Sequence, residues 1–164
     1  MPRPPILPVI DWPALYEKGL EYKDWIAQGE SPENREKMEA SRKALKLELK
    51  MRNALEALSR PVYIIAFAED WCGDVVRHVP VLQKMAEASP HLKIRYLSRE
   101  QSPETFARYL TNGGEAVPKF IFLNHQFVEC GNWGPMQASG RELIARGKAC
   151  GDVPTARARV RDIY

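Results

Sequence analysis

The sequence predicts an α/β fold with a mixed four-stranded sheet, and two patterns support this. Residues 62–68 are a continuous apolar, β-branched run of strand length, typical of a central strand buried on both faces, and residues 93–98 alternate like a second strand. The helical pattern between them implies parallel, right-handed pairing. Two further strands, 119–123 and 127–130, are joined by Asn124-His125-Gln126, and this hairpin makes the sheet mixed.

Residues 1–60 are predicted to form a helical extension before the first strand. The prolines of residues 1–11 favour extended chain, and the pattern of residues 12–28 indicates one or two short helices. Ser31-Pro32-Glu33 is a strong helix start, and no Gly or Pro follows before Leu58, so this stretch predicts one long amphipathic helix. Its apolar face would pack on the domain or on a second subunit, and the pattern does not choose between them.

The predicted main domain comprises residues 61–150 and is followed by a tail, residues 151–164. The predicted helices of this domain, with Pro80 as a kink in the first, are residues 75–88, 102–110 and 137–149. Residues 131–135 are predicted to be a loop. For the basic tail two alternatives stay open, a short helix and disorder.

Composition limits the classes of function. The 164 residues are 45% hydrophobic and 27% charged, enough for a globular core, and the net charge of +3 is too small to indicate nucleic-acid binding. No apolar run approaches the roughly 20 residues that span a membrane, and prolines interrupt the N-terminus too early for a signal peptide, so we expect a cytoplasmic protein. The three cysteines, Cys72, Cys130 and Cys150, fit neither a disulfide framework nor a metal site.

Cys72 is the main candidate for chemistry because it follows the buried strand at the first turn of a helix. Unpaired backbone N–H groups and the helix dipole favour a thiolate there, so we expect a lowered pKa and a catalytic cysteine. The alternative is a small buried apolar side chain. Trp71 would shield one side of the sulfur, and Gly73 would let another backbone come close.

The stretch from Ile65 to Asp74, with Pro80 on the following helix and Ala116-Val117-Pro118 before a strand, resembles thioredoxin over residues 60–149. The resemblance implies a thioredoxin fold, with helices on both faces of the sheet. It also implies that Pro118 is a cis-proline opposite the cysteine, beside a groove for a peptide or a protein disulfide.

A closer likeness extends to most of the chain apart from the tail. The stretches that carry this likeness are Glu69–Asp74, Tyr109–Gly113, Val117–Phe122 and Gly131–Pro135. Together they resemble bacterial thioredoxin family proteins that have an N-terminal helical extension and mostly no assigned substrate.

Two departures from thioredoxin change the expected chemistry. The family motif Cys-x-x-Cys is here Cys72-Gly-Asp-Val75, and valine cannot resolve a mixed disulfide. Ala66 stands where thioredoxin has a buried acid on the strand. A dithiol cycle at this site is therefore excluded. Cys130 or Cys150 could resolve a mixed disulfide on Cys72 only if its Cα atom lies within about 7 Å of the Cα atom of Cys72.

Three further residues are candidates for supporting roles. Asp74 would favour the helix as an acid in its first turn, or exchange a proton with the sulfur. Arg99, after the second strand, would steady a thiolate or bind an anion, or would simply be exposed. Trp133 would line the groove, or would simply be packed.

Two functions follow. In the first, Cys72 exchanges thiols as a monothiol oxidoreductase, without a bound cofactor, and a small thiol such as glutathione completes the cycle. In the second, the fold is a non-catalytic binding module for a peptide or partner protein. A homodimer through the long helix would suit either function, and the sequence does not decide whether the protein is an enzyme.

Overall fold

A computed structural model describes residues 7–164, and its centre is a four-stranded sheet of order β2-β1-β3-β4. β1 pairs in parallel with β2 and antiparallel with β3, which pairs antiparallel with β4, so the predicted mixed sheet is confirmed. Residues 1–6 of the predicted extended segment lie outside the described residues. The strands are β1 (Val62–Phe67), β2 (Leu92–Leu97), β3 (Lys119–Leu123) and β4 (Glu129–Trp133).

Eight α-helices surround the sheet in residues 7–164, and none of them is long and apolar enough to cross a membrane. Short 3-10 turns flank the sixth helix, at Arg99–Gln101 and Ala107–Tyr109. The helices are α1 (Trp12–Lys18), α2 (Tyr22–Ala27), α3 (Pro32–Ala44), α4 (Leu49–Glu56), α5 (Gly73–Ala88), α6 (Pro103–Phe106), α7 (Ala138–Ala149) and α8 (Val153–Arg161).

The helices lie on both faces of the sheet, as expected for this fold. Tyr96 lies on one face, where Gln83 of α5 donates a hydrogen bond of 2.7 Å to its hydroxyl. Phe67 points to the opposite face, because alternate strand residues point to opposite sides, and its ring lies 5.2 Å from that of Phe106 in α6. The turn that follows β1 is therefore held between two packed layers.

The N-terminal extension shares the core of the sheet. Leu20 and Tyr96 exchange two backbone hydrogen bonds, of 2.9 and 2.8 Å, which extend the pairing at the edge strand β2. The ring of Trp25 stacks on Tyr96 with 4.7 Å between centroids, and Met38 of α3 is fully buried. Burial of these side chains ties the extension to the sheet through apolar contact.

The predicted single helix over residues 31–58 is wrong, because the chain breaks it into α3 and α4. Leu45 ends α3 in an extended conformation, with φ −62° and ψ 135°. A straight helix over that stretch would be about 42 Å long, whereas α5, on which both segments pack, spans only about 24 Å. Packing on α5 therefore overrides the helix propensity of the residues between them. The homodimer expected through one long helix stays a prediction.

The predicted loop at residues 131–135 is partly wrong, since β4 continues to Trp133. The side chain of Asn124 accepts backbone hydrogen bonds from Gln126 and Val128, at 2.8 and 3.0 Å, and this turn delays the start of β4 until Glu129. Hydrogen bonding to β3 then continues beyond Gly131, where the predicted loop begins, as far as Trp133.

The basic tail forms helix α8, which packs against α7. A Cβ on Gly147 would lie 2.5 Å from the Cβ of Ala156, so the glycine is what lets the two helices approach closely. The Asp152 side chain accepts a hydrogen bond of 3.2 Å from the backbone of Thr155 and caps α8. Of the two alternatives for the tail, the helix is the one formed.

Candidate active site around Cys72

Cys72 lies in the turn between β1 and α5, as the N-cap residue of that helix. Its backbone N–H donates to the carbonyl of Glu69 at 3.0 Å, which closes the turn. The half-buried thiol donates to the carbonyl oxygen of Val117, with 3.3 Å between Sγ and oxygen. The Val117–Pro118 peptide bond is cis, and Val117 is almost fully buried. The two chain segments singled out in the sequence therefore meet at the sulfur.

The surroundings of Cys72 favour the neutral thiol. Burial raises the pKa of Cys72 above its ordinary value, and the carboxylates of Asp74 and Glu69 raise it further. Backbone N–H groups of Val75 and Asp74 act in the opposite direction, as the helix-start position predicts. The expected lowering of the pKa is thus wrong in its net direction, because desolvation outweighs the helix N-terminus.

The two residues after Cys72 leave space beside the sulfur. A Cβ on Gly73 would meet nothing within 4 Å, so the close backbone approach expected there is not present in the described chain. Asp74 is partly buried, and burial raises the pKa of its carboxyl group although Arg77 and Arg157 act to lower it. The distance from Arg77 to the Asp74 carboxylate is 3.5 Å, a long ion pair.

A cavity opens beside Cys72, and Arg99 does not line it but lines a second cavity together with Glu69 and Trp71. Its guanidinium pairs with Glu69 at 3.0 Å and with Glu115 at 3.2 Å. The same guanidinium lies 5.6 Å from the ring centre of Trp71, whose side chain is 55% exposed. Arg99 therefore pairs with two carboxylates beside the ring of Trp71, and its role toward the thiol stays a prediction.

Trp133 packs behind the site and does not line the cavity of Cys72. Its ring stacks on Phe120 at 5.6 Å and meets the edge of His78 at 4.8 Å. Burial lowers the pKa of His78 to about 4, so its imidazole is neutral near pH 7. Trp133 thus packs on its neighbours and also lines a separate, apolar cavity beside α5, distinct from that of Cys72.

Neither Cys130 nor Cys150 lines the cavity beside Cys72. Cys130 follows Glu129, which pairs with Leu123 at the end of the sheet where β1 begins, whereas Cys72 follows the end of β1. Four strand steps of about 3.3 Å separate these two edges, about twice the reach of a disulfide. Cys150 is exposed at the end of α7, outside the cavity that Cys72 lines. Val75, where a resolving cysteine would stand, is fully buried.

A cavity of about 430 Å³ opens beside Cys72, and the sequence did not reveal its charge. Five cationic side chains line it, contributed by α5, α7 and α8: Arg77, Arg141, Lys148, Arg157 and Arg161. The one available signal was the spacing of Arg157 and Arg161, which places them on one face of a helix. Among the described residues, no group of His, Cys, Asp or Glu side chains is arranged to hold a metal ion.

Comparison with known proteins agrees with the fold. A family model described as Thioredoxin matches residues 19–152, while no curated protein matches the chain. The chain is similar to the crystal structure of a protein of unknown function from Pseudomonas aeruginosa, with 17% identity, a TM-score of 0.72, and coverage of 93% of this chain and 95% of that one. It is also similar to an HIV epitope-scaffold, with 14% identity, a TM-score of 0.71 and coverage of 92% and 95%. These structures show the shared fold, and the closer likeness to bacterial proteins stays a prediction.

Proposed function

This chain belongs to the thioredoxin family, and we propose that it carries out thiol–disulfide exchange through a single cysteine, Cys72. One observation carries the proposal: the half-buried Cys72 lines a solvent-accessible cavity at the start of α5. A purely structural cysteine is usually sealed in apolar surroundings and has no path to a substrate. The three free cysteines support a cytoplasmic setting, where thiols stay reduced.

The reaction needs no component beyond a disulfide and a second thiol. Deprotonated Cys72 attacks one sulfur of the disulfide, a new bond forms to Sγ, and the old sulfur–sulfur bond breaks. The second sulfur leaves with the electron pair of the broken bond and takes up a proton from water. The proton that Cys72 lost before the attack also goes to water. A low-molecular-weight thiol such as glutathione then attacks the mixed disulfide and releases Cys72 as a thiolate.

An outside thiol completes the cycle because neither Val75 nor Cys130 can resolve the mixed disulfide. Val75 is buried and inert, and Cys130 lies at the far edge of the sheet. The disulfide substrate is a protein or peptide segment lying beside Pro118, or a small disulfide that enters the cavity. Because the resting thiol is protonated, we expect slow exchange near pH 7 that accelerates in alkaline solution.

The test uses a variant in which Cys72 is the only cysteine, made with Cys130→Ser and Cys150→Ser. Treatment with hydroxyethyl disulfide at about pH 9, where thiolate is populated, should add one adduct that glutathione removes, as read by mass spectrometry. Adding Cys72→Ser should abolish the adduct. If the folded protein stays unmodified while the urea-unfolded chain reacts, the proposal is wrong.

A second candidate function, binding without catalysis, is favoured by one specific contact. The hydrogen bond from the Cys72 thiol to Val117 holds the sulfur in its neutral, unreactive form. On this view the groove beside Pro118 recognises a peptide or partner protein, and Cys72→Ser keeps its affinity. Failure of the adduct experiment above would reject the exchange reaction and leave this function as the remaining candidate.

A further inference from the structure

The cavity beside Cys72 has an unbalanced positive charge. Asp74 is the one acid among its lining residues in the part of the chain that the structure describes, against five cationic side chains. A volume of about 430 Å³ falls in the usual range for sites that take a small molecule. Charge and size together indicate a small anionic ligand.

Three of these cations are available to a ligand. Within residues 7–164, no carboxylate lies within 4.0 Å of Lys148, Arg157 or Arg161. Arg157 and Arg161 are both exposed and lie one turn apart on α8, on its cavity side. An arginine pair of this kind matches the geometry of a carboxylate or other oxyanion.

A further positive charge lies buried behind the wall of the cavity. Lys119 is only 5% exposed, and its ammonium donates to the carbonyl of Gly134 at 2.8 Å and to the hydroxyl of Thr111 at 3.0 Å. Thr111 and the neighbouring Arg141 both line the cavity. Within residues 7–164 no carboxylate pairs with Lys119, so its field adds to the attraction for an anion in the cavity.

We propose that this cavity binds a small disulfide that carries carboxylate groups, with Arg157 and Arg161 holding a carboxylate while a sulfur of the ligand meets Cys72. The inference rests on the proposed exchange reaction and specifies its substrate class. The step is the one written above: Cys72 Sγ bonds to one ligand sulfur, and the other leaves as a carboxylate-bearing thiol after taking a proton from water. A different thiol, such as glutathione, then attacks the ligand sulfur of the mixed disulfide and releases Cys72 Sγ as a thiolate. The net reaction converts the carboxylate-bearing disulfide and one thiol into a new disulfide and a carboxylate-bearing thiol, so no further oxidant or reductant enters.

The experiment compares three disulfides of similar size that differ in charge: dithiodipropionate (an anion), hydroxyethyl disulfide (neutral) and cystamine (a cation). The rate of adduct formation is measured on the single-cysteine protein and on the same protein with Arg157→Glu and Arg161→Glu, which we call the cavity pair. For each disulfide, the rate with the cavity pair is divided by the rate without it, and this ratio cancels the intrinsic reactivity of the disulfide. The control pair, Arg146→Glu with Arg159→Glu, makes the same change in net charge at exposed positions outside the cavity.

Relative to hydroxyethyl disulfide, the cavity pair should slow the reaction of dithiodipropionate by about tenfold and accelerate that of cystamine. The two added carboxylates also raise the pKa of Cys72, but this slows all three disulfides alike, and the comparison with the neutral disulfide removes it. The control pair should change all three rates little, and added salt should reduce the advantage of the anion. Equal ratios for the three disulfides would overturn the inference while leaving the exchange reaction intact.

A ligand that cannot react separates the two proposals. Suberate has the length and charge of dithiodipropionate but methylene groups in place of both sulfurs. Calorimetry should show that suberate binds the unsubstituted protein and is weakened about tenfold by the cavity pair. Suberate binding without any adduct would retain the anion site and reject the exchange reaction, whereas no suberate binding would reject the anion site.

Discussion

The buried carboxylate of Asp70 accepts a hydrogen bond of 2.7 Å from the backbone N–H of Ser31, thirty-nine positions earlier in the chain. The side chain of Asn34 adds a second link by donating to the carbonyl of Asp70 at 2.8 Å. Ser31 precedes the first turn of α3, and Asp70 lies two residues before Cys72. The extension is therefore fastened directly to the turn that carries the thiol.

Replacing Asp70 should weaken this link. Asp70→Ala removes the acceptor and should lower the free energy of unfolding by about 1–3 kcal/mol, because the N–H of Ser31 loses its partner in a partly buried place. Asp70→Asn, which keeps a side-chain oxygen, should lose less. Urea unfolding followed by circular dichroism measures both, and equal losses for the two variants would contradict the role of the hydrogen bond.

Gly134 should tolerate no side chain, because its backbone lies against Pro118. Its φ is +121°, and a Cβ would lie 2.1 Å from the carbonyl oxygen of Pro118. Gly134→Ala should therefore lower the free energy of unfolding by about 3 kcal/mol. Gly151→Ala is the matched control, since Gly151 also has positive φ but open space around it, and it should lose only about 1 kcal/mol. Similar losses for both would show that the contact with Pro118 has no energetic weight.

His78 should make the protein sensitive to acid. Its pKa is about 4 in the folded protein, against 6.5 for the free side chain, so the unfolded chain binds more protons between these values. The contribution of neutral His78 to the free energy of unfolding is then fully present above pH 6.5. It is lost as the pH falls, by about 2–3 kcal/mol at pH 4. His78→Phe should flatten this dependence in urea titrations, while His125→Phe, at an exposed turn, should not. An unchanged acid loss in His78→Phe would assign the effect to other groups.

Cys72 should react with iodoacetamide along a pH profile displaced to alkaline values. Because burial raises its pKa, the half-maximal rate in the single-cysteine protein should lie above the ordinary value of about 8.5. The pH dependence of the free energy of unfolding from Cys72 is opposite to that from His78. Because the pKa of Cys72 is raised in the folded protein, its contribution to stability is present at lower pH and is lost as the pH rises.

Asp74→Asn tests the contribution of the neighbouring carboxylate to that profile. Its removal should shift the reaction profile of Cys72 to lower pH, because the negative charge of Asp74 raises the thiol pKa. Glu142→Gln removes an exposed carboxylate outside the cavity and should leave the profile unchanged. A profile that does not move in Asp74→Asn would show that the charge of Asp74 does not contribute to the raised pKa of Cys72, and would leave burial and Glu69 as its causes.

The position of the site was predictable because it depends on local pattern. The apolar run of β1, the helix start after it and the proline before β3 are short-range features, and strand pairing alone brings them together. The break between α3 and α4 was not predictable in this way, because helix propensity favours continuation. The chain turns at Leu45 where both segments pack on α5, an element that follows later in the chain.

What the sequence determined by itself is the thioredoxin-type order of elements and the presence of one cysteine without a resolving partner at Val75. The tertiary structure alone decided in which direction the pKa of Cys72 is shifted and which charged side chains line the cavity beside it. Desolvation depends on how deeply the packed chain covers the sulfur, which no local pattern reports. The cationic cavity likewise exists only because α8 folds back on α7 and brings Arg157 and Arg161 beside a thiol some eighty-five residues earlier in the chain.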